Sequence, residues 1–140
     1  MERRKFFNRL GVASLATYTV SPVIANDLET KGNNSTGMAL KSGEIQHMVI
    51  FDLKHEKGSL AGAKFLSDGQ QILSQIQEVK NFQVFDQVSL KNDYTYGFSM
   101  VFADKTAYES YNIHPDHLAF VESRWKKEVT RFLEIDFKSH

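Results

Sequence analysis

Hydrophobic residues follow two different periods along this chain, and each period predicts a different kind of element. Apolar side chains alternate with other residues in four segments, which predicts β-strands over residues 45–53, 82–90, 94–103 and 129–137. Between the strands, apolar side chains recur every three or four residues, which predicts helices over residues 59–77, 104–111 and from 115 onward. Ser59 and Asp104 suit the N-caps of the first two helices, and Pro115 suits the first turn of the third.

The order of these elements predicts the fold class. β-α-β-β-α-(α)-β is the split βαβ or ferredoxin-like pattern, an α+β fold with a four-stranded antiparallel sheet and helices on one face. The first strand also carries Met48 and Ile50 on the side opposite Val49, so both of its faces are partly apolar. Because an open apolar face favours association, we predict a homodimer in which the two sheets pack face to face.

The amino-terminal residues differ from the rest and predict an export signal. A basic start with the pair Arg3-Arg4 precedes a mildly apolar run and a cleavage site after Ala25, so residues 1–25 resemble a twin-arginine signal peptide of an exported, periplasmic or secreted bacterial protein. A membrane anchor or amphipathic helix is the alternative, but the apolar run is shorter than the roughly 20 residues that span a bilayer, so we expect no stable membrane insertion after processing. Residues 26–43 are polar and rich in Asn, Ser and Gly, which predicts a flexible linker before a single domain at 44–138.

Charge and motif content exclude several classes of function. The chain has 17 basic and 17 acidic residues. The first 25 residues hold four basic residues and one acidic residue, so the remainder has 13 basic and 16 acidic residues and a net charge of −3. Without a basic stripe, nucleic acid is a poor partner. The absence of cysteine excludes disulfides and a lipoprotein anchor. The sequence has no Gly-rich phosphate loop and no Gly-x-Ser-x-Gly element, so nucleotide binding and covalent acyl chemistry have no support.

The candidate chemistry lies in the run from Tyr111 to His117 and in His47 of the first strand. Histidine titrates near neutral pH, so histidines beside a tyrosine can transfer protons. His117 stands in the opening turn of a helix, whose positive end disfavours the imidazolium and keeps a base neutral. Tyr111 can donate a hydrogen bond to a carbonyl or enolate, and His47 shares strand parity with Val49, so it points toward an apolar layer.

Each of these residues also has a structural interpretation. Tyr111 and His47 can be core residues, and His117 can fix the loop through a backbone hydrogen bond. His114 directly precedes a proline and is interpreted as a turn and cap residue. The three histidines could instead bind a metal, but no cysteine or carboxylate pattern supports this, so we predict neither metal nor cofactor.

Three segments resemble one known family. They are His47-Met48-Val49-Ile50-Phe51, Phe98-Ser99-Met100-Val101-Phe102-Ala103-Asp104 and Tyr111-Asn112-Ile113-His114-Pro115-Asp116-His117. Together they resemble the stress-responsive A/B barrel (Dabb) family over residues 44–137, which implies a dimeric α+β barrel. Plant polyketide cyclases of that family close a ring without a cofactor, and the resemblance assigns the catalytic positions to His47, Tyr111 and His117. Where those cyclases have a pocket-lining tyrosine, this chain has Gly69, which implies a different pocket and substrate.

We therefore expect an exported dimer that binds a small, largely apolar carbonyl compound and serves a ring closure, isomerisation or lyase step by proton transfer. The first alternative is a non-catalytic stress-response or ligand-binding dimer. Haem or metal use, as in other dimeric α+β barrels, is a second alternative.

Overall fold

The computed structural model describes residues 39–140, so the predicted signal peptide and most of the predicted linker lie outside the described residues and stay predictions. The described part contains these elements in chain order: β1 (Ile45–Leu53), α1 (Leu60–Leu73), β2 (Lys80–Asp86), β3 (Tyr96–Phe102), α2 (Lys105–Asn112), α3 (Pro115–Phe120), a π-helical turn (Val121–Trp125), α4 (Lys126–Glu128) and β4 (Val129–Lys138). No helix among them is long and apolar enough to cross a membrane.

The four strands form one antiparallel sheet in the order β2-β3-β1-β4. This arrangement confirms the predicted ferredoxin-like α+β fold. β1 is hydrogen-bonded on both edges, and its register places His47 between Met100 of β3 and Asp136 of β4. Because side chains alternate across a strand, these three residues project on the same face of the sheet.

The hydrophobic core lies between that face and the helices. Phe51 of β1, Phe98 of β3 and Phe65 of α1 are each almost completely buried. The rings of Phe51 and Phe98 meet edge to face with centroids 4.8 Å apart, and Phe65 stacks on Phe98 at 6.4 Å. Each fully buried side chain of this size stabilises the fold by about 1.5–3 kcal/mol, so aromatic burial dominates the packing.

Helix α1 begins as predicted but ends earlier. The Ser59 hydroxyl accepts a hydrogen bond from the Gly62 N–H at 3.2 Å and caps the helix. The helix stops at Leu73 and not at Gln77, so the predicted end is wrong. Two successive turns follow, in which the Ile76 N–H bonds to the Leu73 carbonyl and the Val79 N–H bonds to that of Ile76. They bring Ile76 into the core at 2% exposure, which explains why the apolar pattern outlasts the helix.

The second strand also differs from the prediction. It ends at Asp86, four residues before the expected end, and Val88 and Leu90 are almost fully exposed. The alternation of apolar residues therefore continues into a loop whose apolar side chains do not pack against the described part of the chain. The Gln87 side chain organises this loop by donating to the side chain of Asn92 at 2.9 Å and to the Tyr94 carbonyl at 2.9 Å.

The other face of the sheet carries apolar side chains that no helix of residues 39–140 covers. Ile50 and Phe85 flank Gly97 in the middle of this open face. On β4, Leu133, Ile135 and Phe137 share the face and remain 37–48% exposed. The sheet is therefore apolar on both sides, as predicted from the strand sequences.

Gly69 lies where α1 approaches β3 most closely. A Cβ at this position would stand 2.8 Å from Phe98 Cζ and 3.2 Å from Phe120 Cζ. Both rings are buried, so a methyl group at this position would have to displace a packed aromatic side chain. The absence of a side chain at Gly69 therefore serves close packing between α1 and the sheet.

We predict that Gly69→Ala lowers the free energy of unfolding by about 1–3 kcal/mol, because the added methyl overpacks the core. Urea unfolding followed by circular dichroism measures this change. Gly62→Ala is the matched control: its Cβ would lie 3.3 Å from the Ser59 hydroxyl and at ordinary contact distance from Glu56 and His55, so helix propensity should leave it neutral or slightly stabilising. Equal stability of the Gly69 variant and the wild-type chain would contradict the packing described here.

Candidate functional site

A cavity of about 350 Å³ opens between the helix-covered face of the sheet and the segment from α3 to α4. His47, Tyr111 and His117 all line it. The structure therefore brings together the three side chains that the sequence singled out, from β1, the end of α2 and the start of α3. The rest of the cavity wall consists mainly of apolar side chains, which include Met100 and Trp125. Such an enclosure suits a small, largely apolar ligand.

His47 is held by two partners that the sequence prediction missed. Its Nδ1 lies 2.7 Å from Asp136 Oδ1, and the Tyr108 hydroxyl lies 3.1 Å from both Asp136 Oδ2 and His47 Nδ1. Because a carboxylate accepts hydrogen bonds, Nδ1 carries the proton and donates it, and Nε2 is left as an acceptor in the neutral ring. Burial and the Asp136 charge raise the pKa of Tyr108, so its hydroxyl stays protonated and donates to the carboxylate.

His117 is fixed by the chain next to it. Its Nδ1–H donates to the Asn112 carbonyl at 3.3 Å, which leaves Nε2 with a free lone pair in the neutral ring. Burial lowers the pKa of His117, and the nearby His47 and His114 lower it further, whereas the Asn112 carbonyl and Glu134 oppose this. The balance favours the neutral imidazole, which is the form that can act as a base.

Tyr111 is buried beside His117, with 3% of its surface exposed. The two rings stack with centroids 4.2 Å apart, and Phe102 packs on the tyrosine at 5.0 Å. Burial raises the pKa of Tyr111, and the nearby Tyr108 and Glu134 raise it further, so the hydroxyl stays protonated near neutral pH. Within residues 39–140 its hydroxyl makes no hydrogen bond, so it is available to donate to a molecule in the cavity.

His114 has the capping role predicted from its place before Pro115. Its Nδ1 accepts a hydrogen bond from the Asp116 N–H at 3.2 Å at the start of α3. It does not line the cavity. Over the described part of the chain, no three His, Cys, Asp or Glu side chains gather in a group that could hold a metal ion.

The π-helical turn shapes one wall of the cavity. Its first and last residues, Val121 and Trp125, both line the space. Arg124 in the same turn forms ion pairs with Asp68 of α1 and with Glu128, which ties the turn to the rest of the helical layer. Isolated π turns within helices often occur at functional sites, and here the turn presents an aromatic ring to the cavity.

Sequence reasoning did not identify Asp136, Tyr108 or Glu134, the last of which also lines the cavity. A signal for two of them was present, because Glu134 and Asp136 alternate with apolar residues on the last strand and so share one face. Only the register of β4 against β1 reveals that this face covers the cavity and that Asp136 stands opposite His47.

Comparison with solved structures places the chain among known proteins of this fold. A Dabb protein of ferredoxin-like fold from Mesorhizobium loti is 52% identical, with a TM-score of 0.69 over 71% of this chain and 99% of its own. A dimeric protein of ferredoxin-like fold from Bacteroides fragilis is 13% identical, with a TM-score of 0.56 over 72% of this chain and 100% of its own. The hydroxynitrile lyase of Passiflora edulis is 10% identical, with a TM-score of 0.62 over 71% of this chain and 96% of its own. The last two show a shared fold alone.

No curated protein matches the sequence. The family model of the stress responsive A/B barrel domain matches residues 45–139, which is most of the chain and covers every element described above. The chain therefore belongs to the stress responsive A/B barrel (Dabb) domain family.

Proposed function

We propose that this protein binds a small, largely apolar carbonyl compound in the cavity and removes a proton from the carbon next to the carbonyl, without a cofactor. The observation that carries the proposal is the convergence of His47, Tyr111 and His117 on one mainly apolar cavity. Two of these groups offer complementary functions at the same place, an unprotonated imidazole nitrogen and a protonated phenol.

His117 is the general base in this proposal. Its Nε2 has a free lone pair because Nδ1–H is bound to the Asn112 carbonyl. The lowered pKa keeps the ring neutral, and a positioned base of this kind accelerates proton transfer by roughly 10²–10⁴. The proton moves from the α-carbon of the ligand to His117 Nε2, and the electron pair passes to the carbonyl oxygen as an enolate.

Tyr111 and His47 stabilise and orient the ligand. The Tyr111 hydroxyl has no partner within the described residues and donates to the carbonyl oxygen as negative charge develops there. The His47 ring, fixed by Asp136 and Tyr108, presents Nε2 as an acceptor for a second polar atom of the ligand. Asp136 and Tyr108 are positioning residues, since they act through His47.

The enolate can continue in three ways. It can attack a second carbonyl of the same molecule and close a ring, take the proton back at another carbon as in an isomerisation, or expel a leaving group as in a lyase. A non-catalytic ligand-binding protein is the alternative, and it predicts occupancy of the cavity without any proton transfer. The first experiment below separates the two.

The open sheet face supports a second proposal, that two copies associate through it. Its apolar side chains, among them Ile50, Phe85 and Ile135, have no cover within the described chain. The related fold from Bacteroides fragilis is dimeric. A second copy meeting this face would remove the patch from water and stabilise both subunits.

We expect the protein to catalyse hydrogen exchange at the α-carbons of 2-tetralone, an apolar ketone with acidic α-protons. Deuterium uptake in D₂O is followed by NMR, and His117→Gln should lower the catalysed rate by about 10²-fold or more because the base is removed. Tyr111→Phe should lower it by about 10²-fold because the enolate loses its donor. Circular dichroism checks that both variants fold.

His140→Gln is the matched control, since it replaces a histidine at the carboxyl end that does not line the cavity. Quenching of Trp125, the only tryptophan of the chain and part of the cavity wall, reports binding independently of turnover. Binding of the ketone with no exchange above the buffer rate would reject the enzyme and favour the ligand-binding alternative.

The pH dependence tests the protonation state of His117. Its pKa is lowered mainly by burial, so the Hε1 resonance should titrate below the ordinary value of about 6.5, and exchange activity should reach half of its maximum below the same pH. The unfolded chain takes up this proton more readily than the folded chain. The contribution of His117 to stability is therefore present above the unfolded pKa and falls as the pH drops below about 6.5 toward the folded pKa. A titration midpoint at or above 6.5 would contradict the proposed environment.

Association through the open face is tested by Ile135→Glu, which places a carboxylate on the part of the proposed interface that β4 contributes. We expect the wild-type chain to be a dimer and this variant a monomer by multi-angle light scattering, because an unpaired buried charge is strongly unfavourable. Leu90→Glu makes the same kind of change at a fully exposed loop position and should remain dimeric. A monomeric wild type, or a dimeric Ile135 variant, would reject this interface.

A further inference from the structure

Glu134 is an ionisable side chain of the cavity wall that the proposed proton transfer does not use. It stands on β4 opposite Val49 of β1, two residues before Asp136 and on the same face of the sheet. Two residues along a strand span about 7 Å, so Glu134 and the Asp136–His47 pair occupy neighbouring positions along one wall. The residue is exposed, which places it toward the mouth of the cavity.

Glu134 differs from the other charged groups near the cavity in having no partner among the described residues. Asp136 accepts hydrogen bonds from His47 and Tyr108. Lys126, also on the cavity wall, is paired with Glu122 at the surface. Over residues 39–140 the Glu134 carboxylate makes no side-chain hydrogen bond and no ion pair, so its acceptor oxygens are open to a ligand.

The charge of Glu134 affects the pKa values of Tyr111 and His117. Burial is the main reason why the pKa of Tyr111 is raised and that of His117 lowered, but the Glu134 charge contributes a rise at both. Glu134, Tyr111 and His117 also line the same cavity. A ligand that fills the cavity and reaches Tyr111 and His117 therefore passes within range of Glu134.

The local charge balance determines which ligands this carboxylate accepts. Lys126 is paired with Glu122 at the surface, so Glu134 is the acidic side chain that lines the cavity among residues 39–140, and the hydrogen-bonded Asp136 lies two residues further along β4. A ligand carboxylate would be repelled, and an apolar end would leave Glu134 unsatisfied as water is displaced. A hydroxyl would satisfy it through a charge-assisted hydrogen bond, which is stronger than a neutral one.

We propose that Glu134 is a specificity-determining residue that selects carbonyl compounds carrying a hydroxyl group at the end away from the reacting carbonyl and rejects those carrying a carboxylate. The substrate class is thus a hydroxylated, uncharged ketone or related carbonyl compound. This inference rests on the proposed function, because it assumes that the carbonyl lies at Tyr111 and His117.

The test compares 2-tetralones that carry a hydroxyl, methoxy or carboxylate group at carbon 6 or carbon 7. Their affinities for the full chain at pH 7.5 are measured by isothermal titration calorimetry, with Trp125 quenching as the report of cavity occupancy. The better hydroxy isomer should bind about tenfold more tightly than its methoxy counterpart, and the carboxylate most weakly. Methoxy is the matched substituent, since it keeps the oxygen and lacks the donor.

Two substitutions separate hydrogen bonding from charge. Glu134→Leu should abolish the preference for hydroxy over methoxy and improve carboxylate binding. Glu134→Gln should keep part of the hydroxyl preference, because the amide oxygen still accepts, but lose the discrimination against carboxylate. Glu109→Gln removes the same charge from exposed α2 outside the cavity and should keep the wild-type ranking.

An unchanged ranking in Glu134→Leu, or equal binding of hydroxy and methoxy compounds by the wild type, would overturn the inference. If unsubstituted 2-tetralone still binds and exchanges in that case, the proposed function stands and only the role of Glu134 is rejected. If none of the tetralones binds or quenches Trp125, both proposals are rejected together.

Discussion

The central place of β1 in the sheet is the constraint on which the site depends. Because β1 is hydrogen-bonded to β3 on one edge and to β4 on the other, its register against both strands is fixed. That register sets His47 beside Asp136 and turns both toward the helices. A slip of one residue in either pairing would turn a strand over, moving its cavity residues to the open face and its open-face residues into the core. The strand register that buries the core is therefore the same register that assembles the site.

Aromatic packing links the stability of the fold to the chemistry of the cavity. Gly69 lets Phe98 and Phe120 approach α1 closely, and both rings line the cavity on their other side. The apolar enclosure that results disfavours charge, which is the main reason that the pKa of His117 is lowered and that of Tyr111 is raised. One group is thereby kept as a neutral base and the other as a neutral donor, which is the pairing that enolate chemistry requires.

Features that depend on a local pattern of residues could be predicted from the sequence. Alternation located the strands and placed His47 on the inner face, and caps at Ser59 and Asp104 marked where two helices begin. The motif around Pro115 identified His114 as a cap.

Features that depend on distant contacts were missed. Ile76 continued the helical pattern although turns carry it into the core, and Val88 and Leu90 continued a strand pattern although they lie in a loop. The partnership of His47 with Asp136 joins residues 89 positions apart, so only the register of β4 could reveal it.

The three converging side chains are proposed to face one bound carbonyl compound, and a crystal structure of the full chain soaked with 2-tetralone would show whether they do. We expect the ketone inside the cavity, with its carbonyl oxygen within hydrogen-bonding distance of the Tyr111 hydroxyl and an α-carbon next to His117 Nε2. A ketone bound only on the open face of the sheet, or one in the cavity whose carbonyl points away from Tyr111, would contradict it.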